Sequence, residues 1–389
     1  MKENQTQFLK MLELYRNIRN IRKYFMNKSM LKALEFKAIC LSAFYLLYLV
    51  YLIVNPIRHL VDIIQLQNTT TGGMLVYFYI LIYRCYLSLF FFAKMLKDSD
   101  DNQLFENFAE LETDEEDRKY YNTNSVYSHT TFFVFIFTPL FLDVCVDIIF
   151  PLCSNDFLTF LIFPLPTYNK YHILVLIIQT IFNGISLVIV LLDLYIDFII
   201  SIAAIYEFNK VAKEAQRCVT EQQSDNTGVF KKHKKITEIC NTHDTLSSVL
   251  RLVNESLQMT SGFIVLYSII SCCLATYGMI NYSFTTNLYT YVYVLFNVNV
   301  MLLILLGMIW LGIRLNRSVH SITQSIHYMQ FQGVDQEVVA KILVFLNRLT
   351  TESHGIDVGG CFVITPSSTL TMIGSFITYI LVVIQTKPL

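Results

Sequence analysis

Seven stretches of apolar residues constrain the fold of this chain more than any other feature. They lie near residues 36–54, 74–96, 130–150, 173–200, 260–280, 290–313 and 366–386. At about 1.5 Å per helical residue, each is roughly long enough to cross a hydrocarbon core of about 30 Å. The chain is 54% hydrophobic and only 15% charged, whereas soluble domains are about 25% charged. We therefore predict an all-α integral membrane protein with seven transmembrane helices.

Basic residues collect on alternate sides of these stretches. The segments 1–35, 97–129, 201–259 and 314–365 hold 23 of the 29 Lys and Arg residues, and the intervening segments hold 3. Cytoplasmic loops of membrane proteins carry an excess of Lys and Arg. For a multi-pass protein of the plasma membrane, the asymmetry therefore predicts a cytoplasmic amino terminus and an extracellular carboxyl terminus.

The last stretch, Pro366–Gln385, has no charged residue and carries small and polar residues along one face. Together with the apolar Leu381, these residues recur at steps of four and three: Ser367, Thr371, Gly374, Thr378, Leu381 and Gln385. We call this set the polar seam. Close packing against another helix is the commoner explanation of such a seam, because small residues let two backbones approach. The alternative is that the seam faces water in a pore.

Helical patterns continue beyond the membrane in the basic segments. Apolar positions recur at steps of three and four from Ile236 to Leu257, and again from Val338 to Leu349. This spacing predicts cytoplasmic helices that pack on their neighbours. A glycine-rich break, His354–Gly360, separates the second of these helices from the last stretch.

Two groups of carboxylates are predicted to contact water. The acidic run from Asp98 to Asp117 is typical of a flexible, solvated loop. Asp193 and Asp197 lie one helical turn apart at the inner end of the fourth stretch. Carboxylates at the end of a transmembrane helix can reach water, so we predict a solvated or salt-bridged face there.

Polar residues also collect in the predicted outer halves of the second to sixth helices. The candidate ligand-binding residues are Tyr77, Arg84, Asp143, Gln179, Asn183, Tyr277 and Asn297. A charge at membrane depth costs about 2.5–3.5 kcal/mol and usually finds a partner, so we predict an ion pair between Arg84 and Asp143. The whole set either ties helices together or lines a cavity, open to the outside, that binds a small polar molecule.

Sequence signals of catalysis are missing. The chain has no phosphate-binding loop, no GxSxG, no HExxH and no zinc-ligand spacing. Ser353, His354 and Asp357 resemble a catalytic triad by composition only, and such residues at a glycine-rich break more often cap helices. The net charge of −1 does not indicate nucleic-acid binding. We predict neither an enzyme, nor a cofactor, nor a metal site.

The end of the chain resembles the insect gustatory receptor family. Thr378-Tyr379, five apolar residues and Gln385 match the signature of that family, and Gly359-Gly360-Cys361-Phe362 resembles its segment leading into the same helix. The family usually follows its Gln with Phe, whereas Thr386 stands here. A purely apolar gate at that level is therefore in doubt.

This resemblance implies a gustatory receptor that acts as a ligand-gated, non-selective cation channel opened by a small extracellular tastant. It implies a homo- or heterotetramer with other chemoreceptor subunits, embedded in membrane lipids. The last helix would line the pore with Thr371, Thr378, Leu381 and Gln385. The implied domains are a cytoplasmic segment (1–35), six helices around an outer cavity with cytoplasmic extensions (36–313), anchor helices (314–358) and a pore helix (359–389).

Three alternatives share parts of this pattern. An insect odorant receptor channel subunit has the same architecture, but the Thr378-Tyr379 ending argues against it. A G-protein-coupled receptor requires an extracellular amino terminus, contrary to the distribution of basic residues. A secondary transporter is expected to show internal repeats or paired broken helices, and the sequence shows neither.

Overall fold

The computed structural model describes residues 115–124, 172–224, 229–281, 288–327, 336–351 and 354–385, with some helical positions between 47 and 57 and between 130 and 141. The elements are α1 (Glu115–Thr123), α2 (His172–Ser224), α3 (Val229–Asn281), α4 (Leu288–His327), α5 (Gln336–Thr351), β1 (Asp357–Val358), β2 (Phe362–Val363) and α6 (Pro366–Gln385). Apart from those positions, the first three predicted stretches lie outside the described residues.

Three long helices form the body of the described structure. α2 and α3 have 53 residues each and α4 has 40, so they reach about 60–80 Å, twice the thickness of a hydrocarbon core. Within the described residues, Thr180–Thr220 and Val298–His327 are long and apolar enough to span a membrane, and α3 is a third candidate if its two bent halves count as one span. All three helices are longer than a hydrocarbon core is thick, as the predicted continuation of the fourth, fifth and sixth helices requires.

The predicted apolar stripes pack in the core. Along the charged half of α3 the side chains of Ile236, Ile239, Leu246, Leu250 and Val253 are buried. On α5 the buried residues are Ile342, Phe345 and Leu349. All of these except Val253 share one core cluster with the buried side chains of Leu315, Val319, Ile322 and Ile326 on α4. The step of three and four therefore predicted the buried faces of both helices correctly.

A histidine occupies one position of the α3 stripe. His243 lies between the rings of Phe208 and Phe345, at 5.0 and 5.2 Å, and its Nε2 lies 3.0 Å from the carbonyl oxygen of Val319. Burial lowers the pKa of His243 to about 4. The ring is therefore neutral near pH 7, which makes this residue part of the core rather than a charged surface group.

The end of the acidic run is not a solvated loop, which corrects the prediction for Asp117. Glu115–Thr123 forms α1, and Asp117 on it is 0% exposed. Its carboxylate accepts hydrogen bonds from Lys210 Nζ at 2.8 and 2.9 Å and from the Tyr206 hydroxyl at 3.1 Å. Stacking of Tyr120 on Tyr206, with ring centroids 3.8 Å apart, holds α1 against α2 beside this ion pair.

Of the two alternatives predicted for Asp193 and Asp197, the solvated face is wrong, because both residues are buried. Asp197 accepts a hydrogen bond of 3.1 Å from the hydroxyl of Ser261 on α3. A buried carboxylate requires polar partners, and here a neighbouring helix provides one. Sequence spacing placed the two residues on one face of α2, but that face turns toward protein.

Candidate functional site: the last helix and its hairpin

A short β-hairpin precedes the last helix. β1 and β2 pair antiparallel, with Asp357 opposite Val363 and Val358 opposite Phe362. The turn between them uses Gly359 and Gly360, whose φ angles of 65° and 73° lie in the left-handed region that glycine adopts without strain. The side chain of Asp357 accepts a hydrogen bond of 3.0 Å from the amide of Gly360. Asp357 therefore caps the turn of the hairpin, whereas the sequence analysis expected residues at this break to cap helices.

α6 begins with a tightly bonded first turn. The amide of Ser368 donates to Oγ1 of Thr365 at 3.1 Å, and the amide of Thr365 donates to Oγ of Ser368 at 2.8 Å. This reciprocal exchange satisfies amides that have no partner within the helix. Pro366 at the first helical position has no N–H to satisfy. The start of α6 is thus fixed directly after the hairpin.

One face of α6 contacts the rest of its own chain. Thr369 is buried, and Met372, Phe376 and Tyr379 are half-buried. The Tyr379 hydroxyl donates a hydrogen bond of 3.0 Å to the carbonyl oxygen of Cys273 on α3. These positions recur at steps of three and four, so they form a single contact face.

The polar seam lies on the opposite side of α6. Its six residues are all exposed in the single chain, and nothing lies within 4 Å of the place that a Cβ at Gly374 would take. At about 100° per residue, the centre of the seam is roughly diametrically opposite the contact face. Within the described residues, then, no helix of the same chain packs on the seam.

Between these two faces runs a third, apolar flank. Leu370, Ile373, Ile377 and Ile384 are exposed by 49–71%. A helix with one polar and one apolar exposed face needs two different surroundings, since apolar side chains avoid water and a polar seam is poorly matched to lipid. The seam residues Thr371, Thr378, Leu381 and Gln385 therefore have the exposure that a pore requires, and their role as pore lining stays a prediction.

The structure places the predicted ligand-binding residues as follows. Tyr77, Arg84 and Asp143, with the ion pair proposed between the last two, lie outside the described residues. Gln179 and Asn297 occupy α2 and α4, at positions whose side chains are outside the description.

Asn183 and Tyr277 are the two candidates whose surroundings are described. Asn183 is 1% exposed, and its Oδ1 accepts a hydrogen bond of 2.7 Å from the hydroxyl of Tyr51. The ring of Tyr51 also packs against Phe182, with centroids 4.9 Å apart. Tyr277 is half-buried on α3. At Asn183 the described contacts therefore tie two helices together, through a tyrosine that sequence analysis did not single out.

Comparison with known proteins provides independent information. A family model described as "7tm Chemosensory receptor" matches residues 95–389. The fold is similar to that of the insect olfactory receptor OR5 from Machilis hrabei in complex with eugenol, with a TM-score of 0.67 and 11% identity over 88% of each chain. A second structure of OR5 from Machilis hrabei gives a TM-score of 0.61 and 12% identity over 96% of this chain and 100% of that one. No curated protein sequence matches the chain. At such identities the structural likeness shows a common fold.

Proposed function

Since the chain belongs to the 7tm Chemosensory receptor family, we propose that it is a ligand-gated cation channel that opens when a small extracellular molecule binds. In this proposal it is a multi-pass protein of the plasma membrane whose charged helix extensions lie in the cytoplasm. Four subunits surround one pore, either four copies of this chain or a mixture with related subunits. α6 of each subunit lines the pore.

One observation carries the channel proposal: the polar seam of α6 is uncovered and lies opposite the face that contacts its own chain. With four copies around an axis, the apolar flank meets lipid or the neighbouring subunit and the seam meets water. Thr371, Thr378, Leu381 and Gln385 then line the pore, with Gln385 at its outer end. A replacement of Gln385 by alanine is expected to alter the ligand-evoked current or its ion selectivity.

The ending of α6 favours a gustatory receptor over an odorant receptor. Thr378-Tyr379, five apolar residues and Gln385 resemble the gustatory signature, and a tastant is the proposed ligand. The odorant receptor subunit is the second candidate, supported by the likeness of the fold to an olfactory receptor solved with eugenol.

Functional expression separates these candidates. The chain is expressed alone in cells without other chemoreceptors, and calcium imaging with whole-cell recording measures responses to a panel of tastants and volatile odorants. A tastant-evoked cation current from the chain alone supports the gustatory proposal. A current that appears only with a co-expressed partner subunit and a volatile odorant supports the odorant receptor. Surface protein without a current under either condition contradicts the channel proposal.

We expect Tyr379→Phe to shift the midpoint of the ligand response by about fivefold without changing single-channel conductance. The substitution removes only the hydrogen bond to the carbonyl of Cys273, which is worth about 1 kcal/mol. Loss of the bond destabilises the conformation described here. If that conformation is the closed state, the channel opens more easily and the midpoint moves to lower ligand concentration. Met372→Leu, a volume-conserving change on the same face of α6, serves as the control. Equal midpoints for the two variants would contradict a role of this bond in gating.

A further inference from the structure

α3 bends at the place where the hairpin meets it. The segments Lys235–Glu255 and Gln258–Leu274 are inclined by 58° to each other. The amide of Gly359 donates a hydrogen bond of 2.9 Å to the carbonyl oxygen of Gln258, the first residue of the second segment. The hairpin turn is therefore bonded to the backbone of α3 directly after the bend.

Glycine permits a backbone-to-backbone contact on that side of the bend. A Cβ added to Gly262 would lie 2.8 Å from the Cα of Gly359 and 3.0 Å from its nitrogen. Both atoms are main-chain atoms of a turn whose own φ is positive, so they cannot turn aside as the end of a flexible side chain does. An alanine at Gly262 would push the hairpin away from α3.

Asn254 holds the hairpin on the other side of the bend. Its Nδ2 donates a hydrogen bond of 2.8 Å to the carbonyl oxygen of Gly355, and its Oδ1 lies 3.3 Å from the amide of Asp357, which donates to it. One side chain thus bonds the main chain just before β1 and at its first residue. The hairpin spans the bend, with Asn254 before it and Gln258 and Gly262 after it.

α4 supports the hairpin from a second direction. Nδ2 of Asn316 donates a hydrogen bond of 2.6 Å to the carbonyl oxygen of His354, and the side chain of Ile364 fills the space that a Cβ at Gly312 would need. By contrast, a cavity of about 410 Å³ is lined by residues of both α5 and the hairpin, among them Phe345 and Asp357. The hairpin is thus held by α3 and α4 more closely than by the helix that precedes it in the chain.

We propose that this hairpin is a splint that fixes the bend angle of α3, and that Gly262 and Asn254 are positioning residues for gating. The inference rests on the proposed channel function. α6 starts directly after the hairpin and contacts α3 again through Tyr379 and Cys273, so α6 follows the second segment of α3. A change in the bend angle therefore moves the polar seam relative to the pore axis. Weakening the contacts between the hairpin and α3 changes the free-energy difference between the closed and open states, while every residue of the polar seam stays the same.

The test compares two glycine-to-alanine variants in the full chain. Gly262→Ala cannot keep the hairpin in place, whereas the new Cβ of Gly307→Ala on α4 has no atom of the described residues within 4 Å. We expect Gly262→Ala to shift the midpoint of the ligand response, or the current without ligand, by at least about fivefold, a common size of coupling between sites. Single-channel conductance should not change. A midpoint and a ligand-free current that both equal those of Gly307→Ala would overturn the proposal.

Asn254→Ala keeps the experiment decisive if Gly262→Ala fails to reach the cell surface, because it removes hydrogen bonds without adding volume. The same shift is expected. Where both single variants reach the surface, the free-energy change calculated from the midpoint of the double variant should be smaller than the sum of the two single changes, since both weaken the same hairpin contacts. Full additivity, or a wild-type midpoint for Asn254→Ala, would overturn the proposal.

Hydrogen exchange separates failure of the splint from failure of the channel. In purified protein, we expect amides 355–364 and 255–262 to exchange faster in Gly262→Ala than in Gly307→Ala. Unchanged exchange overturns the splint even if currents differ. If the wild-type chain reaches the surface and conducts no current, the channel proposal fails while accelerated exchange still supports the splint.

Discussion

A cysteine in place of Thr378 is expected to make the ligand-evoked current sensitive to a positively charged methanethiosulfonate, with a loss of at least about tenfold. Thr378 is exposed and lies at the centre of the polar seam. A fixed charge 4 Å from a passing cation costs about 4 kcal/mol at an effective dielectric constant of about 20. Half of that energy is already enough to reduce the current tenfold, because a factor of ten corresponds to about 1.4 kcal/mol. Patch recording before and after the reagent measures the effect.

The matched control is the neighbouring residue in the sequence. Ile377→Cys places the same thiol on the apolar flank. Ile377 is 53% exposed in the single chain, but in the proposed channel it faces lipid or another subunit. We expect no loss of current there. Both substitutions are made with Cys361→Ser, because Cys361 is exposed on the hairpin turn. Equal sensitivity at the two positions would contradict an α6 that turns only its seam to the pore.

Lys210→Met is expected to lower the free energy of unfolding by about 3 kcal/mol. The substitution removes the cation beside Asp117, whose side chain is 1% exposed, and leaves a carboxylate buried without it. Removing one partner of a buried ion pair costs about 3–5 kcal/mol. We expect the lower end because 36% of the Lys210 side chain is in solvent and Tyr206 still donates to Asp117. Thermal unfolding of the purified protein in detergent measures the change.

Lys235→Met provides the comparison for this ion pair. Lys235 lies 3.7 Å from Glu214, and both side chains are exposed by more than 40%, so its loss should cost less than about 0.5 kcal/mol. Similar melting temperatures for the two variants would mean that α1 does not depend on the buried pair. A selective loss of stability in Lys210→Met would show that α1 is a fixed part of the fold.

Periodicity predicted much of the fold, because a helix repeats every 3.6 residues wherever it lies. The stripe from Ile236 to Leu257 and the polar seam of α6 were both visible in this way. Periodicity does not tell which neighbour covers a face. Asp117 and Asp197 were therefore predicted to face water, whereas Lys210 and Ser261 on other helices meet them.

The β-hairpin could not be predicted from the sequence, for a different physical reason. Two strands of two residues are too short to show an alternating pattern, and only a glycine-rich break was visible. The contact between Gly262 and Gly359 joins two glycines that are far apart in the chain and carry no side chains to signal it. The pair Gly359-Gly360 was the available clue to the turn, since two successive glycines favour positive φ.

In the proposed channel, the hydroxyl groups of α6 bear on the sign of the ion that passes. Thr371, Ser375 and Thr378 each donate their hydrogen to a carbonyl one turn earlier, at 2.9–3.2 Å. With the hydrogens committed to the backbone, each oxygen offers only lone pairs to its surroundings. Thr371 and Thr378 on the seam thus present partial negative charge. Their oxygens can partly replace the water oxygens around Na⁺ or K⁺, but they cannot replace the water hydrogens that solvate Cl⁻. Preference for cations would then arise from the direction of uncharged dipoles, in a helix that carries no acidic residue.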